Sequence, residues 1–214
     1  MNDNHPYPAL IIGGLTPAYD FFARRFLHEG RIKRALIAQA RVAPGQRVLD
    51  LGAGTGTLAI WLKQVQPAAH IAGLDADPSV LALAAAKAAR AGVQLDFCAG
   101  TAGSLPYADG TFDRVVSSLV FSMLSSAEKQ RAAVESYRTL RRGGTLHIAD
   151  FGPPHTAWAR LLARRMRQFE PIRDNLDGRL PAMMQAAGFE EVGEAARFNI
   201  PLGTISLLRG RKPS

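Results

Sequence analysis

Cysteine is nearly absent: Cys98 is the single one among 214 residues. One thiol closes no internal disulfide and builds no thiolate metal site, which excludes a disulfide scaffold and a cysteine-ligated zinc fold. Cys98 itself reads as a buried strand residue rather than a redox group. The five histidines fall at no metal-ligand spacing, so no metal is expected. Long apolar runs are missing too, since none approaches the ~20 residues that a membrane span needs. Asp3 and His5 precede only a short apolar run at residues 9–15, unlike a signal peptide, and the expectation is a cytoplasmic chain. Internal repeats and low-complexity tracts are absent, and the length suits one domain, 1–214, with ample core. Acid is in short supply: 18 aspartates and glutamates stand against 26 lysines and arginines, a net charge of +8. Such a surface attracts polyanions, either nucleic acid or an anionic membrane, or else it reflects a generally basic proteome.

Glycine, by contrast, is concentrated where it carries chemistry. The stretch Val48-Leu49-Asp50-Leu51-Gly52-Ala53-Gly54-Thr55-Gly56-Thr57-Leu58 reads as a buried strand, a tight turn and the start of a helix at residues 58–65. A turn of this kind lets a ligand lie against bare backbone and its N–H groups. The dinucleotide fingerprint is G-x-G-x-x-G, but here the last position is Thr57 and the spacing is G-x-G-x-G. Asp50 would repel a pyrophosphate so close to its cradle, but would favour an ammonium or a sulfonium. S-adenosylmethionine carries both cations, and its carboxylate can use the helix N-terminus.

Further along, residues 71–75 read as a second strand ending in Asp75, at the distance of one strand–helix–strand unit from Asp50. Asp75 can accept from two ribose hydroxyls, a feature shared with nucleotide dehydrogenases. Pro78 opens a helix over residues 80–91. Residues 95–102 read as a third strand and its exit loop, and 114–118 as a fourth strand. Arg142-Gly143-Gly144 reads as a helix stop and turn before a fifth strand.

The ordered set VLDLGAGTG, GLDADP, LPYADGTFD and LRRGGTL resembles the class I S-adenosylmethionine-dependent methyltransferases. The likeness is strongest to the branch with ubiquinone/menaquinone C-methyltransferases and phospholipid N-methyltransferases, and it covers about residues 44–150. It implies S-adenosyl-L-methionine as cofactor. Gly52, Gly54 and Gly56, with Thr55 in the turn, would line its methionine portion. Asp75 would bind the ribose and Ala76 would lie under the adenine. Thr101 and Ala102 would sit at the adenine edge, and Ser118 beside the methionine end. One departure stands out: the family commonly has Asp where this chain has Thr101, whose hydroxyl accepts without charge.

Strands alternating with helices imply a parallel sheet covered on both faces. With the resemblance, the expected fold is α/β, a Rossmann-like seven-stranded, mostly parallel sheet whose last strand is antiparallel. Residues 1–43 would form an N-terminal lid region, with a helix over 18–40. Residues 44–150 would form the cofactor core, and 151–214 the substrate-side helices and closing strands. In this last part, helices are expected at 156–169 and 180–187, and strands at 190–198 and 203–210. A further helix is expected at 126–140, capped by Ser125 or Ser126.

Methyl transfer is an in-line displacement at an activated carbon, so the protein mainly aligns the acceptor and excludes water. A base is needed only where the acceptor must lose a proton. Asp150, at the end of the fifth strand, is the first candidate for a substrate-facing group, with a cap or salt bridge as the plainer role. Tyr19 on the lid is the second, with lid packing as its alternative. His147 reads as buried structure and His155 as solvated. Both flanking helices join apolar residues to arginines: Phe22 and Phe26 with Arg24 and Arg25, and Trp158, Leu162 and Met166 with Arg160, Arg164 and Arg165. They read either as amphipathic helices with a solvated basic face or as an entrance beside an anionic membrane. The leading reading is methyl transfer to a small apolar or lipid-like acceptor, a quinone precursor or a phospholipid head group. An RNA or protein methyltransferase is the runner-up, because of the charge. It lacks support from any RNA-binding module or from an Asn/Asp-Pro-Pro-Tyr motif after the fourth strand. A non-catalytic cofactor-binding module is the third. The acceptor atom and the oligomeric state are not legible.

Overall fold

Residues 29–214 are described in the computed structural model. Their elements run α1 (Glu29–Ala40), β1 (Arg47–Leu51), α2 (Thr57–Val65), β2 (His70–Asp75), α3 (Pro78–Arg90), β3 (Asp96–Ala99), β4 (Phe112–Ser118), α4 (Ser126–Thr139), β5 (Leu140–Phe151), α5 (Ala157–Met166), α6 (Glu170–Leu176), α7 (Leu180–Ala186), β6 (Glu190–Ile200) and β7 (Gly203–Arg211). The strands form one seven-stranded sheet in the order β3-β2-β1-β4-β5-β7-β6. β1 is parallel to β2 and β4, β2 to β3, and β4 to β5, while β7 runs antiparallel to both β5 and β6. The expected mostly parallel sheet with an antiparallel last strand is therefore what the chain forms.

Alternation within β1 shows how the sheet separates its two cores. Val48 packs with Ile32 and Leu36 of α1 and Leu58 and Leu62 of α2. Leu49 and Leu51 point the other way, toward Ala132 of α4 and Leu180 and Met184 of α7. Strands buried on both faces read as continuous apolar runs. Asp50 shares its face with Val48 and so lies beneath α1 and α2. The strand order reverses between β1 and β4, and a ligand crevice is expected beyond the carboxyl ends of these two strands.

Several local choices follow from single residues. Ser125 caps α4 and forms a capping box with Glu128. The helix expected over 156–169 is in fact two. α5 stops at Met166 and α6 restarts at Glu170 with Pro171 in its first turn, where the missing N–H costs nothing. β5 begins at Leu140, before the Gly143-Gly144 pair rather than after it. Leu140 pairs with Phe112, and the register slips before Arg114 meets Thr145. Cys98 lies half-buried in the edge strand β3 rather than in the core.

On α5 the buried face is made by Ala159 and Ala163, while Trp158 and Leu161 stand 61% and 57% exposed. Leu162 and Met166 are half-buried, so Trp158 and Leu161 are the two large apolar residues of α5 left outward. His147 is buried in β5, with Nε2 against Thr145 Oγ1 at 2.9 Å and Nδ1 against Gln39 Oε1 at 3.1 Å. Burial, reinforced by Arg114 and Arg209, pulls its pKa down to about 3, so the ring is neutral structure. Among the described residues, no helix is long and apolar enough to cross a membrane.

Candidate functional site

The turn after β1 is built by positive backbone angles. Gly52 sits at φ +73°, and a Cβ there would run into the Val120 side chain. Gly54 sits at φ +52°, but a Cβ there would meet nothing within 4 Å among the described residues. One glycine is thus required by close packing from the loop after β4, and the other faces open space at the crevice. Thr55 is half-exposed between Gly54 and Gly56. Gly56 is the N-cap of α2 and brings no side-chain cap, leaving first-turn N–H groups of α2 for other acceptors.

Backbone bonds tie this turn to the end of β2. The N–H groups of Gly52 and Ala53 both donate to Leu74 O, at 2.8 and 2.9 Å. Gly54 N–H donates to Asp75 Oδ2 at 2.8 Å, and Asp77 N–H to Asp75 Oδ1 at 3.1 Å. Each carboxylate oxygen keeps capacity for a further donor. Ala76 follows, exposed, before α3. Asp75 also pairs in register with Ala99 of β3, and Gly100 N–H donates to Asp75 O at 2.9 Å. This places the loop holding Thr101 and Ala102 beside Asp75. Thr101 is exposed and bridges to Ser104, while Ala102 is half-buried against the core.

Asp50 lies under the turn at 1% exposure, and its Oδ2 has no hydrogen-bond partner among the described residues. Burial raises its pKa to about 7, with Asp75 adding to the rise; Lys33 of α1 and the Ala59 N–H work against it. The folded chain therefore holds a proton that the unfolded chain releases near 3.8. From this residue alone, stability falls as pH rises from about 4 to about 7. Asp50→Asn should remove that fall. At pH 8 the cofactor-free variant should be more stable by about 1–3 kcal/mol, the amide's own unpaired N–H offsetting part of the gain. Urea unfolding at pH 5 and pH 8 checks this; an equal effect at both would show that Asp50 does not titrate between them.

The far wall comes from β4 and β5. Ser118, half-exposed, ends β4 opposite Ala149. Leu119 follows at φ +61°, held there by its N–H bond to Ala149 O at 2.9 Å. A leucine in the left-handed region stores strain, and here that strain aims Val120 at the glycine turn. Asp150 is 1% exposed and accepts from Phe151 N–H at 2.7 Å and Ser122 N–H at 3.2 Å. Burial pushes its carboxyl up. Both oxygens are thus spent on backbone, and Asp150 braces the loop after β4. The expected substrate-facing role does not fit this burial, because the turn at Phe121–Met123 covers it. Tyr19, like Phe22 and Phe26, lies outside the described residues. His155 is exposed, with Nδ1 at 3.1 Å from Thr204 Oγ1.

Asp50, the glycine turn, Asp75, the Thr101 loop and Ser118 thus lie along one rim of the sheet. Sequence reasoning passed over Lys33, Leu119, Val120 and Ser122.

The donor set suits the expected cofactor: an orphaned carboxylate oxygen for a cation, a helix start without a side-chain cap for a carboxylate, and Asp75 for ribose hydroxyls. Comparison with known proteins agrees. Residues 48–144 match the family described as "Methyltransferase domain". A demethylmenaquinone methyltransferase of Thermus thermophilus is 37% identical over 142 residues, covering 65% of this chain and 64% of that protein. The chain thus matches somewhat less than two thirds of that relative's length. A ubiquinone/menaquinone biosynthesis C-methyltransferase of Xylella fastidiosa is 30% identical over 204 residues, covering 84% of this chain and 79% of that protein. Among solved structures, the YcgJ protein from Bacillus subtilis superposes with a TM-score of 0.72 at 19% identity, over 86% of this chain and 99% of that one. The last likeness speaks for the fold alone. By its sequence relatives, its glycine turn and its strand order, the chain belongs to the S-adenosylmethionine-dependent methyltransferase family.

Proposed function

We propose that this chain binds S-adenosylmethionine across the glycine turn and methylates a ring carbon of an apolar quinone precursor in its reduced, hydroxylated form. The observation that carries the cofactor half is the open face of Gly54 between Asp75 and the unpaired Asp50 oxygen. The names of the Thermus and Xylella relatives support the acceptor half. When bound, the cofactor supplies a methyl group on a sulfonium; the acceptor carbon takes the methyl as the carbon–sulfur bond breaks.

The remaining work belongs to the chain. Asp75 accepts from ribose hydroxyls, and the start of α2 holds the carboxylate. Asp50, in its ionised form, faces the cationic end. The Thr101 hydroxyl accepts at the adenine edge. Leu119 and Val120 close the methyl end against water, which suits an apolar ring. A hydroxyl on the reduced ring makes its neighbouring carbon nucleophilic, and the proton lost from that carbon passes to solvent. A lipid-tailed acceptor of this kind resides in a bilayer, so the chain would work at a membrane surface. The basic surface favours a second reading, methylation of RNA or protein.

The test is turnover with a short-chain naphthoquinone offered reduced and oxidised. Label from the methyl donor should enter the reduced ring and not the oxidised one, which lacks the nucleophilic carbon. No transfer to either would remove the acceptor half of the proposal.

A further inference from the structure

A second cavity, of about 700 Å³, opens beyond the end of β5, between α5 and the turn joining α6 to α7. Pro153, Pro154 and Leu176 line it together with Arg160, Arg164, Arg167 and Arg179, and Asp177 is the lone acid of the lining. Arg160 and Arg164 of α5 and Arg167 at its C-cap recur every three or four residues, which puts them on one side. Arg167 reaches Asp177 at 3.0 Å, and Arg179 reaches it at 3.8 Å and Asp174 at 3.4 Å. Arg160 and Arg164 are exposed and have no acidic partner among the described residues. Asp174 and Asp177 answer Arg167 and Arg179, so Arg160 and Arg164 are the two uncompensated charges of the pocket, and guanidinium is the group that matches phosphate oxygens in a two-point fork.

The rim adds a different chemistry. Trp158 and Leu161, three residues apart, stand exposed on another side of the same helix. Trp158 Nε1–H donates to Pro201 O at 3.0 Å, which fixes the ring against the β6–β7 turn, and Leu202 of that turn is 45% exposed. An indole anchored at its polar edge with its apolar body outward suits the boundary between headgroups and acyl chains. A free phosphate would use only the arginines. A phospholipid offers phosphate to the pocket and hydrocarbon to the rim.

We infer that the α5–α6–α7 pocket binds the phosphate of an anionic phospholipid, while Trp158, Leu161 and Leu202 enter the bilayer surface. This rests on the proposed lipid-soluble acceptor only for its purpose. A membrane seated here would face the same rim of the sheet as the glycine turn, so the acceptor could pass from bilayer to crevice without crossing water.

The experiment is sedimentation of the full chain with phosphatidylcholine vesicles, with and without phosphatidylglycerol, at low and high salt. Binding should need phosphatidylglycerol and should weaken as salt rises. The Arg160→Gln/Arg164→Gln variant should bind about thirtyfold more weakly, as two surface charges at about 1 kcal/mol each require. The control Arg41→Gln/Arg90→Gln removes the same charge elsewhere and should lose far less. Trp158→Ala should weaken vesicle binding while leaving inorganic phosphate binding unchanged. Affinity for S-adenosylhomocysteine, unchanged in all variants, shows that each is folded. Equal losses in the two arginine pairs would mean diffuse charge and overturn the site. Phosphate binding without vesicle binding, or displacement from vesicles by RNA at equal phosphate, would overturn the lipid occupant. Turnover of a short-chain soluble quinol reports on the acceptor reading separately, since it needs no vesicle.

Discussion

Replacing Asp75 with alanine should lower affinity for S-adenosylhomocysteine by about a hundredfold to ten-thousandfold. Two charge-assisted hydrogen bonds to ribose hydroxyls, at about 1.5–3 kcal/mol each, set that range. The same carboxylate accepts from Gly54 and Asp77 N–H groups, so alanine also loosens the turn that faces the ligand. The two contributions separate with a ribose-deoxygenated analogue. The native chain should bind the analogue more weakly than the parent ligand, whereas Asp75→Ala should bind both alike. Calorimetry reads both affinities, and an unchanged affinity in the variant would mean that the ribose lies elsewhere.

The second large effect is structural. Lys129 of α4 is fully buried; its Nζ donates to Pro171 O and to Asp174 Oδ2 on α6. Ser126 Oγ and Arg179 complete the surroundings of Asp174. Burial pulls the Lys129 pKa down, and Asp174 works against that fall. Lys129→Met should cost about 3–5 kcal/mol, because it leaves a buried carboxylate without its one buried cation, only the exposed Arg179 remaining. Adding Asp174→Asn should recover part of the loss, since the charge needing compensation is then removed. Urea unfolding of the single and double variants measures this. A single-variant cost below about 1 kcal/mol, in the range of surface ion pairs, would show that solvent reaches the pair. Because this pair seats α6, the double variant should also keep the arginine pocket intact better than the single one.

Much of the core was legible because its signals are local. The glycine turn, Asp50 and Asp75 lie on two strands joined by one helix, and parallel pairing puts their ends side by side. The closing strands, expected at 190–198 and 203–210, form at Glu190–Ile200 and Gly203–Arg211. What stayed hidden depended on tertiary burial. The carboxyl of Asp150 looks available in the sequence, yet the turn after β4 takes one oxygen through Ser122 N–H and the adjacent Phe151 N–H takes the other. The apolar spacing over 156–169 did not tell which residues pack: Ala159 and Ala163 make the buried face, and Trp158 stands exposed. Leu119 carries no turn residue's signature; its backbone angle is imposed by the bond to Ala149 O. Lys33 gave no sign of its closeness to Asp50, since only the docking of α1 on that face of the sheet brings them together.

The most direct measurement of the central claim is the fate of labelled methyl from S-adenosylmethionine offered at once to lipid extract, soluble extract and RNA. The account predicts label in the lipid extract, on a quinone ring carbon, and its loss in Asp75→Ala. Label confined to RNA or protein, or a lipid label undiminished in that variant, would contradict it.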